Sequence, residues 1–169
     1  MILQDGFHYP KRVLSAFPDP ELAFKRRGAP FTFDAESFVT LVKAIKSMQM
    51  TTIKQREEFL YAPSFDHALK DPVPDAIPIS SRNRLIIIEG NYTLLDQKPW
   101  NEIARLCEEK WFVDADREVV KLRLAQRHLL AGIETSELAA KQRAEENDLP
   151  NGDLIRKMLI APDVVIKNS

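Results

Sequence analysis

The stretch Arg84–Tyr92, RLIIIEGNY, restricts the fold more than any other. Leu85–Ile88 is an unbroken apolar run rich in β-branched residues. A strand without polar alternation is one covered on both faces, as in a parallel sheet. The run stops at Glu89-Gly90, an acid and a glycine at the strand's carboxyl end. Trp111–Val113 in KWFVDAD and the DVVIK stretch near the C-terminus have the same character. Ile2–Leu3 is a short strand that runs straight into Asp5-Gly6-Phe7-His8. In an open α/β sheet, such strand ends are where a substrate meets the protein.

Helical patterns separate these strands. Asp34 caps a helix, Glu36 complements its dipole, and Phe38, Leu41, Val42, Ile45 and Met48 repeat at spacings of three and four. Pro99 lies near the start of a helix carrying Trp100, Ile103, Ala104 and Cys107. Asp116 caps another that runs to about Ala131, where Gly132 stops it. Thr135 or Ser136 starts the next, through about Glu146, and a final helix is expected near Leu154–Leu159. Val13–Arg27 is interrupted by Pro18 and Pro20 and ends in the basic cluster Lys25, Arg26 and Arg27. Residues 49–82 hold Pro63, Pro72, Pro74 and Pro78, with short strand or loop pieces around Thr51–Ile53 and Phe59–Tyr61; they read as a substrate-side insertion. Strands alternating with helices predict an α/β fold with a largely parallel sheet.

Composition narrows the partners. At 169 residues the chain suits one domain, and a net charge of −1 gives no electrostatic case for nucleic acid or an anionic membrane. No apolar run approaches the roughly 18 residues of a membrane span, and the N-terminus lacks the basic start and apolar core of a signal peptide. Cys107 is the single cysteine, so no internal disulfide forms and a reducing, cytoplasmic setting is expected.

Six pieces in order, DGFH, RRGAPFTFD, IIIEGNYTLL, WFVDAD, RLAQRHLLAG and ENDLPNG, resemble the uridine kinase and phosphoribulokinase branch of the P-loop kinases, in particular its nucleoside/sugar kinase-like members. The resemblance runs from Ile2 to Lys167. It implies a mostly parallel sheet flanked by helices, with a lid region at about 117–147. It also implies ATP-dependent phosphoryl transfer to a hydroxyl of a nucleoside, sugar or small metabolite, with ATP and Mg²⁺ as cofactors. Kinases of this branch often self-associate, which implies a homo-oligomer.

Phosphoryl transfer needs positioning, charge neutralisation and an acceptor for the substrate hydroxyl proton. By resemblance Asp5 is that general base; read alone, it caps the turn at Gly6. Glu89 orients Mg²⁺ through its water shell in the branch; read alone, it is a strand-end acid bonded to local amides. Arg123 and Arg127 lie four apart on one helix face. The resemblance makes them lid arginines that clamp phosphate, with Arg143 as a further lid residue. Read alone, they form a solvated face with Lys121 and Glu118. Arg27, Phe33 and Asp34 are candidate acceptor contacts, although Asp34 is also a good N-cap. His8, Tyr9 and Lys11 follow the base and line the acceptor pocket, with Asn91 beside Glu89. His67 matches the branch loosely, and Asn147-Asp148 recurs there without an evident physical role.

One piece of the family pattern is absent. The phosphate loop reads G-x-x-x-x-G-K-S/T, and none of Gly6, Gly28, Gly90, Gly132 or Gly152 begins or completes it. The expectation is a shortened kinase domain. It would lack the first, central strand between those ending in Glu89 and Val113, together with the phosphate loop and first helix. Such a chain has reduced stability in isolation and impaired ATP binding. The alternative function is a non-catalytic ligand-binding or regulatory module derived from such a kinase.

Overall fold

The computed structural model describes residues 1–168. In chain order the elements are β1 (Ile2–Leu3), a 3-10 turn (Gln4–Phe7), α1 (Lys11–Leu14), α2 (Pro20–Lys25), a second 3-10 turn (Pro30–Thr32), α3 (Ala35–Ser47), β2 (Phe59–Asp66), β3 (Asp71–Ser80), β4 (Ile88–Glu89), α4 (Asn101–Leu106), β5 (Trp111–Asp114), α5 (Arg117–Leu130), α6 (Glu137–Arg143), a π-helical turn (Ala144–Asp148), α7 (Leu149–Lys157) and β6 (Val164–Lys167).

Local signals set most helix ends. The Asp34 carboxylate accepts from Ser37 N at 3.0 Å to open α3. Asp116 accepts from Glu118 N and Val119 N to open α5, and Ser136 accepts from Ala139 N to open α6. Gly132, at φ 61°, takes the left-handed turn that ends α5. The last helix starts earlier than the expected Leu154, because α6 continues through the π-helical turn into α7.

The parallel strands form two separate pairs. β1 lies beside β4 with Ile2 opposite Ile88 and Leu3 opposite Glu89. β5 lies beside β6, Trp111 opposite Val164 through Asp114 opposite Lys167. The apolar run Leu85–Ile88 therefore gives only its last residue to a strand. Its preceding residues have no ladder on the far side, and β4 and β5 do not pair with each other.

Residues 49–82 correct the sequence reading. Thr51–Ile53 is turn and coil, whereas Phe59–Asp66 and Asp71–Ser80 form one long antiparallel hairpin. Proline is tolerated because each strand of a two-stranded ribbon has a free edge on which a missing N–H costs nothing. The register shifts between Ala62 and Ser64, at Pro63. The hairpin lies on the 3-10 turn after β1 so closely that a Cβ on Gly6 would sit 2.3 Å from the Pro63 carbonyl oxygen.

The core lies between α3, α4, the hairpin and the β1–β4 pair, with Ile2, Phe7, Phe38, Val39, Tyr92 and Trp100 buried in it. Phe7 stacks on Phe38 at 4.4 Å, and Phe33, Tyr92 and Trp100 meet edge to face or tilted at 5.2–5.8 Å.

Candidate active site

Parallel pairing of β1 with β4 fixes where the acids go. Leu3 is in register with Glu89, so the turn after β1 and the end of β4 open at the same sheet end. Asp5 sits in that turn, its side chain half exposed. Burial, and then the negative charge of Asp5, push the Glu89 carboxyl above its usual range. Two like-charged groups at one strand end form a place where a cation relieves repulsion. A carboxylate pair completed by water and substrate oxygens suits Mg²⁺. Among the described residues no group of three or more His, Cys, Asp or Glu gathers as a protein-only metal cage.

The wall beside Asp5 is aromatic. His8 donates from Nδ1 to the Asp5 carbonyl at 2.9 Å. Its ring lies 3.9 Å from Phe33 and 5.0 Å from Phe65. Burial is the main reason its pKa falls below the ordinary value, with Arg27 adding to the effect and Asp5 opposing it. The unfolded chain therefore protonates His8 first, and stability due to this residue is lost as pH drops below about 6.5. The melting temperature should fall between about pH 7 and about pH 5.5, and His8→Phe should flatten that slope. An unchanged slope in the variant would place the titration elsewhere.

Arg27 is the hub of the next layer. Its guanidinium donates to Asp71 at 3.0 Å, to Lys70 O at 2.6 Å and to Tyr9 O at 3.2 Å, and lies 5.7 Å from the Phe65 ring centroid. Lys11 reaches the same hairpin turn, its backbone N on Asp71 and its Nζ on Leu69 O. His8, Tyr9, Lys11 and Arg27 are thus assembled against the hairpin, and Phe33 is buried behind His8. The Asp34 carboxylate is spent on Ser37, through the backbone N and the hydroxyl, which is its capping role. Asn91 is exposed next to the Glu89 strand end.

The candidate arginines of the lid stand apart. Arg123 and Arg127 are on the exposed side of α5, and Arg143 pairs with Glu134 at 3.5 Å. No hydrogen bond or ion pair among the described residues joins Arg127 to Asp5 or Glu89. His67 touches only the edge of this region, 5.3 Å from Phe65.

Three participants, Gln4, Asp71 and Phe65, had no sequence signal of their own, and Asp148 had one without a role. Gln4 is buried, and its Oε1 accepts from Tyr92 N at 2.9 Å across the mouth of the site. Asp71 and Phe65 arrive on the hairpin. Asp148, from the Asn147-Asp148 pair, accepts from His128 Nε2 at 2.8 Å. The Arg26 side chain ties the basic segment to Glu146 O and Asn151, both at 3.2 Å. No helix among the described residues is long and apolar enough to cross a membrane.

This constellation has relatives. No family model matches the chain. An ATP-dependent kinase-like protein of Aspergillus versicolor, notR', is 45% identical over 153 residues, 90% of this chain and 87% of the relative. A Schizosaccharomyces pombe protein described as a candidate uridine kinase, C227.14, is 41% identical over 167 residues, covering 99% of this chain and 68% of its own length. The crystal structure of YFH7 from Saccharomyces cerevisiae, described as a candidate P-loop containing kinase with a circular permutation, superimposes with a TM-score of 0.88 at 35% identity. That superposition takes in 99% of this chain, which spans 57% of the YFH7 chain.

Proposed function

The chain belongs to the uridine kinase-like branch of the P-loop kinases, and from that premise we propose that it handles the acceptor side of ATP-dependent phosphoryl transfer to a hydroxyl of a nucleoside, sugar or small metabolite. The observation that carries the reading is the meeting of Asp5 and Glu89 at one end of the β1–β4 pair, where the Asp5 charge adds to burial in raising the Glu89 carboxyl. In this reading Asp5 accepts the proton of the acceptor hydroxyl, and Glu89 is the residue that would hold Mg²⁺. The metal neutralises phosphate charge when bound. The His8, Phe33 and Phe65 rings give a flat wall for a base or sugar face. Arg27, fixed by Asp71, holds the hairpin against that wall. Arg123 and Arg127 serve as phosphate clamps only if α5 moves toward the site.

The residues present do not fit the donor by themselves. ATP needs a cradle of backbone amides with a lysine, and residues 1–169 contain no G-x-x-x-x-G-K-S/T. The same fact favours a second reading, a module that binds the acceptor without turning it over.

The test is a panel of nucleosides, pentoses and hexoses, followed by thermal shift and by label transfer from γ-labelled ATP. One class should raise the melting temperature. Asp5→Asn should weaken that class by about tenfold, the scale of one hydrogen bond to a charged group. Removal of the Asp5 charge should also let the Glu89 carboxyl titrate at lower pH in carbon-13 spectra. Label transfer at background beside acceptor binding selects the second reading. Absence of binding by every class, or identical binding by wild type and variant, defeats the acceptor-site assignment.

A further inference from the structure

Arg26, Arg27 and Gly28 are consecutive residues that hold three different parts of the molecule. Arg27 holds the hairpin through Asp71 and Lys70 O. Arg26 serves other partners: its two terminal nitrogens donate to Glu146 O and Asn151 Oδ1, both at 3.2 Å. The Gly28 carbonyl accepts from the Tyr92 hydroxyl at 2.6 Å and from Asn151 Nδ2 at 3.4 Å. Tyr92 is fully buried, and its backbone N is held by Gln4, the residue before Asp5. One tripeptide thus joins the hairpin, the loop after β4 and the start of α7.

The local backbone is built for this. Ala29 N closes a turn onto Arg26 O at 2.8 Å, and Gly28 N donates to the hydroxyl of buried Thr32 at 3.0 Å. Gly28 has φ 107°, and a Cβ there would meet nothing within 4 Å. Glycine is therefore required by the backbone angle and not by space. A residue forced to negative φ would swing the carbonyl off Tyr92 and Asn151. At the far end, Asp148 lies in sequence between the two residues that Arg26 grips, and Asp148 holds His128 of α5. The grip spans the end of the π-helical turn, a form found frequently at functional sites.

We propose that Arg26 and Asn151 are positioning residues that lock the acceptor wall and the base of residues 117–147 into one arrangement, Arg26 acting through the turn that carries Asp148 and Asn151 through the Gly28 carbonyl. A change in the hairpin then reaches the anchor of α5, and a change at that anchor reaches the hairpin, because coupling between two sites is reciprocal. A guanidinium suits the role. Its planar fork holds a backbone carbonyl and a side-chain amide at once, which the point charge of an ammonium does not do with fixed geometry. The assignment of wall and lid rests on the kinase reading above; the link between Asp71 and Asn151 does not.

Hydrogen exchange of the whole chain, resolved by segment, tests the link without any acceptor. Asp71→Ala frees Arg27 on the hairpin side. Residues 144–152 should then exchange about three- to tenfold faster, the scale of one hydrogen bond in a local opening equilibrium. Asn151→Ala should accelerate residues 59–80 by a similar factor, and α4 should keep wild-type rates in both variants. Arg26→Gln cuts the link, so adding Asp71→Ala to it should leave residues 144–152 where Arg26→Gln alone puts them. If Asp71→Ala gives no cooperative melt, Asp71→Asn, which keeps an acceptor oxygen and loses the charge, carries the same comparison. Unchanged rates at 144–152 in the Asp71 variant overturn the proposal. So does a double variant whose factors multiply, since the effect then bypasses Arg26. Equal acceleration in every segment, α4 included, overturns it as well, because the loss is then global. Transmission without acceptor binding would keep the link and remove the kinase reading, and acceptor binding without transmission would do the reverse.

Discussion

Gly90→Ala should destabilise the chain by about 3 kcal/mol, a large part of the roughly 5–15 kcal/mol that holds a domain folded. A Cβ at this position would lie 2.3 Å from Gln4 Cβ and 2.4 Å from Gln4 Oε1. Gln4 cannot yield cheaply. It is buried, its Cβ is fixed by the backbone that follows β1, and its Oε1 holds Tyr92 N. Relief therefore requires either breaking that buried bond or parting β1 from β4, a pair only two residues long. Overpacking costs about 1–3 kcal/mol, and an unmatched buried amide adds about as much. Gly152→Ala is the control, since a Cβ there meets nothing within 4 Å and the site is inside α7. It should leave stability unchanged or raise it by up to about 1 kcal/mol. Urea denaturation of the two variants reads the contrast. Equal midpoints would mean that the β1–β4 contact is not held as described. Because Asp5 and Glu89 adjoin the displaced residues, acceptor binding by Gly90→Ala should weaken beyond what its lower stability explains.

Features written in short sequence windows were legible before the structure. The caps at Asp34, Asp116 and Ser136 and the stop at Gly132 depend on residues within one turn. The strands at Ile2–Leu3, Trp111–Asp114 and Val164–Lys167 follow from apolar runs with turn signals beside them. The hairpin was not legible, because Pro63, Pro72, Pro74 and Pro78 read as breakers, and only a ribbon with two free edges makes them acceptable. With it, Phe65 and Asp71 were lost from the site. The strand at Leu85–Ile88 was visible as a run of residues but is mostly unpaired, because a strand needs a neighbour as well as a pattern. Asp5 and Glu89 were each visible at a strand end, but the effect of the Asp5 charge on the Glu89 carboxyl exists only once β1 and β4 lie in register.

The Asn147-Asp148 pair, opaque in the sequence, carries the second large expected effect. His128→Ala should cost about 2–4 kcal/mol, concentrated in α5 and α6. The His128 residue is 5% exposed, and its Nε2 donates to Asp148 Oδ2 at 2.8 Å, joining the last turn of α5 to the π-helical turn before α7. The same residue's carbonyl receives Ile133 N at 2.9 Å and Glu134 N at 3.3 Å, so it also anchors the bend into α6. Truncation removes the buried ring and leaves the Asp148 carboxylate without its donor; a hydrogen bond to a charged group is worth about 1.5–3 kcal/mol. Leu122 and Leu130 of α5 are exposed, and two of its other ties to this region, Lys121 to Glu145 and Arg117 to Asp153, are ion pairs with at least one partner at the surface, so His128 is its main buried polar anchor. Hydrogen exchange resolved by segment should show faster exchange in α5 and α6, with α3 and α4 protected by Phe38 and Trp100 as before. That pattern would make residues 117–147 a locally opening unit, the property a lid requires. Equal acceleration in α3 would instead bind this region to the core as one cooperative block, and the arginines at 123 and 127 would then have no hinge on which to approach the site.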